Sequence, residues 1–106
     1  MAAPDLLFPE CANVFRSRVL RRLMSAEAAR EAFRGLRSLP LQIVPLLEIS
    51  EDALDHALRY DLSVYDGCYS ALAARLGVPL VTADRRLLKK LGTARVRAVH
   101  LESLTP

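Results

Sequence analysis

From Pro9 onward, Ala12, Phe15, Val19 and Leu23 recur at helical spacing, and Glu10, Asn13, Ser17 and Arg21 form the opposite, polar stripe. The pattern predicts a first helix over roughly 9–23, with Pro9 in the first turn, where a missing N–H goes unused. Ser25 is placed to cap a second helix reaching about residue 39, with Ala29, Phe33 and Leu36 inward, Glu27, Glu31, Arg34 and Arg37 outward, and Pro40 ending it. The apolar segment 41–47 contains Pro45 and reads as a strand that tolerates proline near an edge or end. Ser50, followed by Glu51 and Asp52, starts a third helix running to about residue 60, the acids complementing its dipole.

Ser63 and Asp66 then have the spacing of a capping box. Tyr65, Cys68, Leu72 and Leu76 make one stripe of this fourth helix, Gly67, Ala71 and Ala74 its reverse side, and Gly77 supplies the stop. A helix that is small or apolar nearly all round is predicted to be central and packed on more than one side. Residues 78–82 read as a short buried strand, Asp84 as the cap of a brief helix over 85–91, and 95–101 as a last strand. Helices alternating with short apolar strands indicate an α/β domain, a parallel sheet flanked by helices. No repeat, low-complexity tract or linker interrupts it.

Length and composition narrow the picture. A chain of 106 residues is expected to form a single domain over 1–106, and 52% hydrophobic with 25% charged residues is far from the signature of disorder. No run approaches eighteen apolar residues, and the first residues lack the basic start and apolar stretch of a signal peptide, so no membrane association and a cytoplasmic address are expected. Cys11 and Cys68 sit in apolar helical patterns and read as buried reduced thiols. His56 and His100 have no partner at ligand spacing, which argues against zinc. The net charge of +3 is carried almost wholly by arginine, clustered at Arg16, Arg18, Arg21 and Arg22 and again at Arg85, Arg86, Lys89 and Lys90. Such clusters suit phosphate backbones, although a solvated helix face explains a run of this kind in most proteins.

Three carboxylates each lie at a helix start: Glu10 after Pro9, Asp66 three residues past Ser63, and Asp84 just after a strand. Capping and the helix dipole favour acids there without any chemistry. The alternative is convergence, because helices that follow the strands of an open α/β sheet begin at its carboxyl edge, where ligands bind. Carboxylates without histidine or thiolate partners prefer hard cations, so magnesium or manganese is the expected occupant and phosphodiester hydrolysis the expected chemistry.

These motifs carry a family resemblance. APDLLFPECANVF, from Ala3 to Phe15, resembles the segment holding the second acidic residue of PIN-domain ribonucleases of the VapC toxin type. LSVYDGCYSALAARLG, from Leu62 to Gly77, resembles their third-acid helix, and PLVTADRRLLKKL, from Pro79 to Leu91, their fourth-acid strand and turn. The resemblance runs from Ala3 to about Leu101 with the motifs in family order. It implies Glu10, Asp66 and Asp84 as metal-binding and catalytic acids and Asn13 and Thr82 as supporting polar groups, and the arginine clusters, with Arg18, Arg21, Arg85 and Arg86, fit the binding of RNA phosphates. It further implies a magnesium- or manganese-dependent endoribonuclease, an RNA substrate, a cognate antitoxin protein and a homodimer.

The family's N-terminal strand, which ends in its first aspartate and is normally central in the sheet, has no counterpart here, and Asp5 belongs to a matched segment. A truncated start is the favoured expectation, over a short form that folds by swapping, dimerising or binding a partner. The alternative function is a catalytically inactive PIN-like module that binds RNA or a partner protein. A small helical DNA-binding regulator ranks below both, because the strand before Asp84 has no role in a helix-turn-helix.

Overall fold

The computed structural model describes residues 1–77, 79–82, 86, 87 and 89, together with the backbone of 98–100. Strand β1 (Ala2–Pro4) leads into α1 (Leu7–Leu20) and α2 (Ala26–Arg37); β2 (Gln42–Val44) leads into α3 (Leu46–Tyr60) and α4 (Val64–Leu76); β3 (Leu80–Thr82) and β4 (Ala98–His100) complete the order. All pairings are parallel and the sheet order is β2-β1-β3-β4. This is the predicted α/β fold, with helices on both faces of a parallel sheet. No helix among the described residues is long and apolar enough to cross a membrane.

Alternation along the strands separates two cores. Ala2, Val44 and Leu80 face α3 and α4, where they meet Ile49, Ala53, Cys68, Tyr69 and Leu72. Ala3, Ile43 and Val81 face α1 and α2, where they meet Leu7, Cys11 and Leu36. The β1–β2 and β3–β4 pairs each hold three residues in register, whereas β1 meets β3 through one registered pair, Ala2 with Leu80, and the Ala2 N–H donates to the Pro79 carbonyl at 3.0 Å.

Several boundaries differ from the sequence reading. No periodicity announces β1, because three residues are too few to show a period. Helix α1 is shifted toward the N-terminus relative to 9–23, and the residues it buries are Leu7 and Cys11. Phe15 and Val19 are only half-buried, while Ala12 and Leu23 are exposed, so the predicted inward stripe faces outward beside α2. Helix α3 starts four residues before Ser50, and the cause lies far away in sequence: the Asp5 carboxylate accepts a hydrogen bond from the Leu46 N–H at 3.0 Å. Pro45 ends β2, an edge strand, as proline requires.

The fourth helix follows its local signals closely. Ser63 Oγ accepts from the Asp66 N–H at 3.0 Å, and Gly77 closes the helix at φ 65°, in the left-handed region. Its buried side carries Cys68, Tyr69, Ala71 and Leu72, whereas Tyr65, expected to pack, is exposed. Ser25 caps α2 in the same way, its Oγ accepting from Ala28 N–H at 3.0 Å. Both cysteines are free and buried, as expected.

Candidate metal centre

The chain leaves β1 and β3 at the same edge of the sheet, and the starts of α1 and α4 are gathered there. Glu10, in the first turn of α1, reaches across this edge: its Oε1 accepts a hydrogen bond from the Tyr69 hydroxyl on α4. The side chain of Thr82, the last residue of β3, hydrogen-bonds the same hydroxyl. One buried phenol thus ties together α1, α4 and β3. Asp66 lies one turn before Tyr69 on the same face of α4 and is only 6% exposed, a low value for a carboxylate.

The electrostatics follow from this crowding. Burial, then the Glu10 charge and the hydrogen bond to it, push the Tyr69 hydroxyl far above the usual phenol range, so Tyr69 remains a neutral donor throughout the working pH range. Burial, with Glu10 beside it, pushes the Cys11 thiol up to about 12. Cys68 is raised for the same reasons, first burial, then Glu10, then Asp5. Cys68 therefore senses both acids, which places Asp5 and Glu10 around the first turns of α4. Neither thiol has the lowered pKa of a nucleophile or a ready metal ligand.

The expected site residues divide into three groups. Glu10, Asp66 and Thr82 are brought to one edge. Asn13 is exposed one turn beyond Glu10 on α1; Arg18 is half-buried; and Arg21 caps the far end of that helix, about 16 Å from Glu10 by helical rise. Arg86 is exposed in the segment after β3. Asp84 and Arg85 lie outside the described residues, and among the described residues no three His, Cys, Asp or Glu side chains close on one metal position.

Two residues gain roles that the sequence reading did not give them. Tyr69 packs in the core and is also the donor to Glu10; its position three residues after Asp66 was the available signal. Asp5, set aside because it belongs to a matched segment, caps α3 and sits near Cys68.

The arrangement offers oxygen donors alone. Glu10 commits Oε1 to Tyr69, and Asp66 adds a second carboxylate. One or two carboxylates with water and a phosphate oxygen are the usual surroundings of magnesium, so the donor set fits such an ion.

Comparison with known proteins identifies the family. The PIN domain family model matches residues 4–93. Ribonuclease VapC12 of Mycobacterium tuberculosis is 37% identical over 90 residues, covering 85% of this chain and 68% of the relative. Ribonuclease VapC1 of the same organism is 39% identical over 87 residues, covering 80% and 63%. Ribonuclease VapC3 of Pyrobaculum aerophilum is 33% identical over 88 residues, covering 81% and 67%. The chain thus spans 63% to 68% of the length of these relatives.

Proposed function

The chain belongs to the PIN-domain family, and on that premise we propose that it is a metal-dependent endoribonuclease, the toxin of a VapBC-type toxin–antitoxin pair acting in the cytoplasm. The observation that carries the reading is the contact of Glu10 with Tyr69 on α4, one turn after buried Asp66, at the carboxyl edge of a parallel sheet. Support also comes from relatives that are themselves named ribonucleases.

Glu10, Asp66 and Asp84 hold a magnesium or manganese ion in this reading, with Asn13 and Thr82 as supporting polar groups. Such an ion, when bound, draws electron density from a phosphate oxygen and acidifies a water. The protein's contribution is positioning. Tyr69 fixes Glu10 through Oε1, and Thr82 fixes Tyr69 in turn. Arg18, Arg21, Arg85 and Arg86 bind RNA phosphates along the approach, where guanidinium forks suit phosphate oxygens. A cognate antitoxin protein silences the enzyme, and the chain pairs with a second copy as a homodimer.

Cleavage of total RNA by the purified chain tests this, with manganese or with a chelator, beside Asp66→Asn. The expected result is cleavage that needs the metal and disappears in the variant. Intact RNA from a folded, manganese-loaded chain contradicts the proposal and leaves the inactive binding module in its place.

A further inference from the structure

The chain has three phenylalanines, three tyrosines and no tryptophan. The phenylalanines are half-buried and Tyr69 is fully buried. Among the described residues, the exposed aromatic rings are thus confined to one short stretch around the turn between α3 and α4. Tyr60, the last residue of α3, is 55% exposed, and Tyr65, in the first turn of α4, is 67% exposed, with exposed Val64 beside it.

The two tyrosines differ in what they touch. The Tyr60 ring has the Arg59 guanidinium carbon 5.9 Å from its centroid and the His56 ring at 5.5 Å, so part of its surface is taken. Tyr65 takes part in no ring contact among the described residues. The fold does not ask for a large ring there, since alanine is the better helix former at an exposed helical position. Tyr65 is followed directly by Asp66, about 3.8 Å away between Cα atoms. Ser63 Oγ holds this turn in place by accepting from the Asp66 N–H at 3.0 Å. An open aromatic face is therefore fixed at a capped helix start beside one of the candidate acids.

We propose that Tyr65 is a nucleobase-stacking residue, which takes an unpaired base of the RNA next to the nucleotide whose phosphate reaches the acids. The inference rests on the RNA substrate of the proposed function and adds a requirement to it: the RNA is single-stranded at this position. A base inside a duplex is stacked on its neighbours and offers the ring no face, whereas a splayed loop base offers a whole one. Stacking tolerates any sequence, because every base has a π-face. Tyr65 accordingly selects for strandedness, while the arginines hold the phosphate backbone.

The test is binding of a fluorescein-labelled oligoribonucleotide of mixed A and C, which cannot pair with itself, to the 106-residue chain in the presence of a chelator. An abasic ribose-phosphate oligomer of equal length serves as the control for backbone charge. Tyr65→Ala is expected to bind the single strand about tenfold or more weakly and the abasic oligomer within about twofold of wild type. Tyr65→Phe keeps the ring and binds both within about twofold. Tyrosine emission gives a second readout, uncomplicated by tryptophan and independent of the alanine variant's folding. Base stacking quenches it, and the quench seen with wild type is expected to shrink in Tyr65→Phe and to persist in Tyr60→Phe. The proposal is overturned by a wild-type chain that binds the single strand no better than the abasic oligomer, or by a quench that Tyr65→Phe leaves whole. A folded Tyr65→Ala chain that binds the single strand as wild type does also overturns it, and is the result expected of a tyrosine reserved for a protein partner. Because no cleavage is involved, the two readings fail separately. A chain that stacks bases on Tyr65 and never cleaves RNA keeps this inference and sinks the nuclease, whereas a chain that cleaves and binds without need of Tyr65 does the reverse.

Discussion

Replacing Tyr69 with phenylalanine removes one oxygen and leaves the packing of the ring in place, so no cavity forms. Two interactions are lost together: the hydroxyl's donation to Glu10 and its hydrogen bond with Thr82. A hydrogen bond to a charged group contributes about 1.5–3 kcal/mol, and a buried polar group left without a partner costs about 1–3 kcal/mol. Glu10 is half-buried and water can replace part of its loss; Thr82 is fully buried and has less recourse. A net loss of about 2–3 kcal/mol follows, which in a domain of this size lowers Tm by about 10–20 °C. Urea titrations of wild type, Tyr69→Phe, Glu10→Ala and the double variant measure it, and the cycle is expected to show a coupling of about 1–2 kcal/mol between the two positions. The pH dependence has a fixed sign. The folded state binds the Tyr69 proton more tightly than the unfolded chain does, so this contribution is intact below the unfolded value of about 10 and declines as pH rises above it. A Tyr69→Phe chain within about 0.5 kcal/mol of wild type, with additive single effects, would refute the role given to this contact.

Other perturbations probe the supports of the site. A Cβ added by Gly67→Ala would run into the Ala53 carbonyl oxygen, with the Ala53 carbonyl carbon at 3.3 Å, so α3 and α4 must part. The expected cost is about 1–3 kcal/mol or more in urea titration, with Asp66 and Tyr69 displaced along with α4. Asp5→Ala removes the cap on α3 and is expected to cost about 0.5–2 kcal/mol, whereas Asp5→Asn keeps an acceptor for the Leu46 N–H and costs less, as thermal melts should show. Cys11, raised to about 12, stabilises the fold fully below its ordinary value of about 8.5 and loses that contribution as pH climbs toward 12. Iodoacetamide at pH 8 should therefore label Cys11 at least about tenfold more slowly in the native chain than in urea; equal rates would contradict its burial and raised pKa.

Local signals in the sequence were reliable wherever the structure obeys them locally. Ser25 and Ser63 cap the helices they precede, Gly77 ends α4 at a positive φ, and Pro45 marks the end of an edge strand. Errors arose where a distant residue decides. The start of α3 depends on Asp5, 41 positions earlier, and a reader of residues 46–50 alone has no means of seeing that cap. The stripe Ala12, Phe15 and Val19 has the spacing of a core face, yet Leu7 and Cys11 occupy the sheet side of α1, and the second stripe is left lining a groove. At the candidate site, Glu10 and Asp66 were legible as acids because each stands at a helix start. The tie between α1 and α4 was not, because the Glu10–Tyr69 contact spans 59 positions and Tyr69 has the ordinary spacing of a packing residue.

The most direct measurement is a manganese titration of the isotope-labelled chain followed by amide NMR line broadening, with Asp66→Asn titrated in parallel. A paramagnetic ion held by the sheet-edge acids broadens the amides of Glu10, Asp66 and Thr82 first, at substoichiometric metal, and the variant loses that localised effect. Broadening centred on another part of the chain, or a pattern the Asp66→Asn variant leaves unchanged, would contradict the metal centre and with it the nuclease assignment.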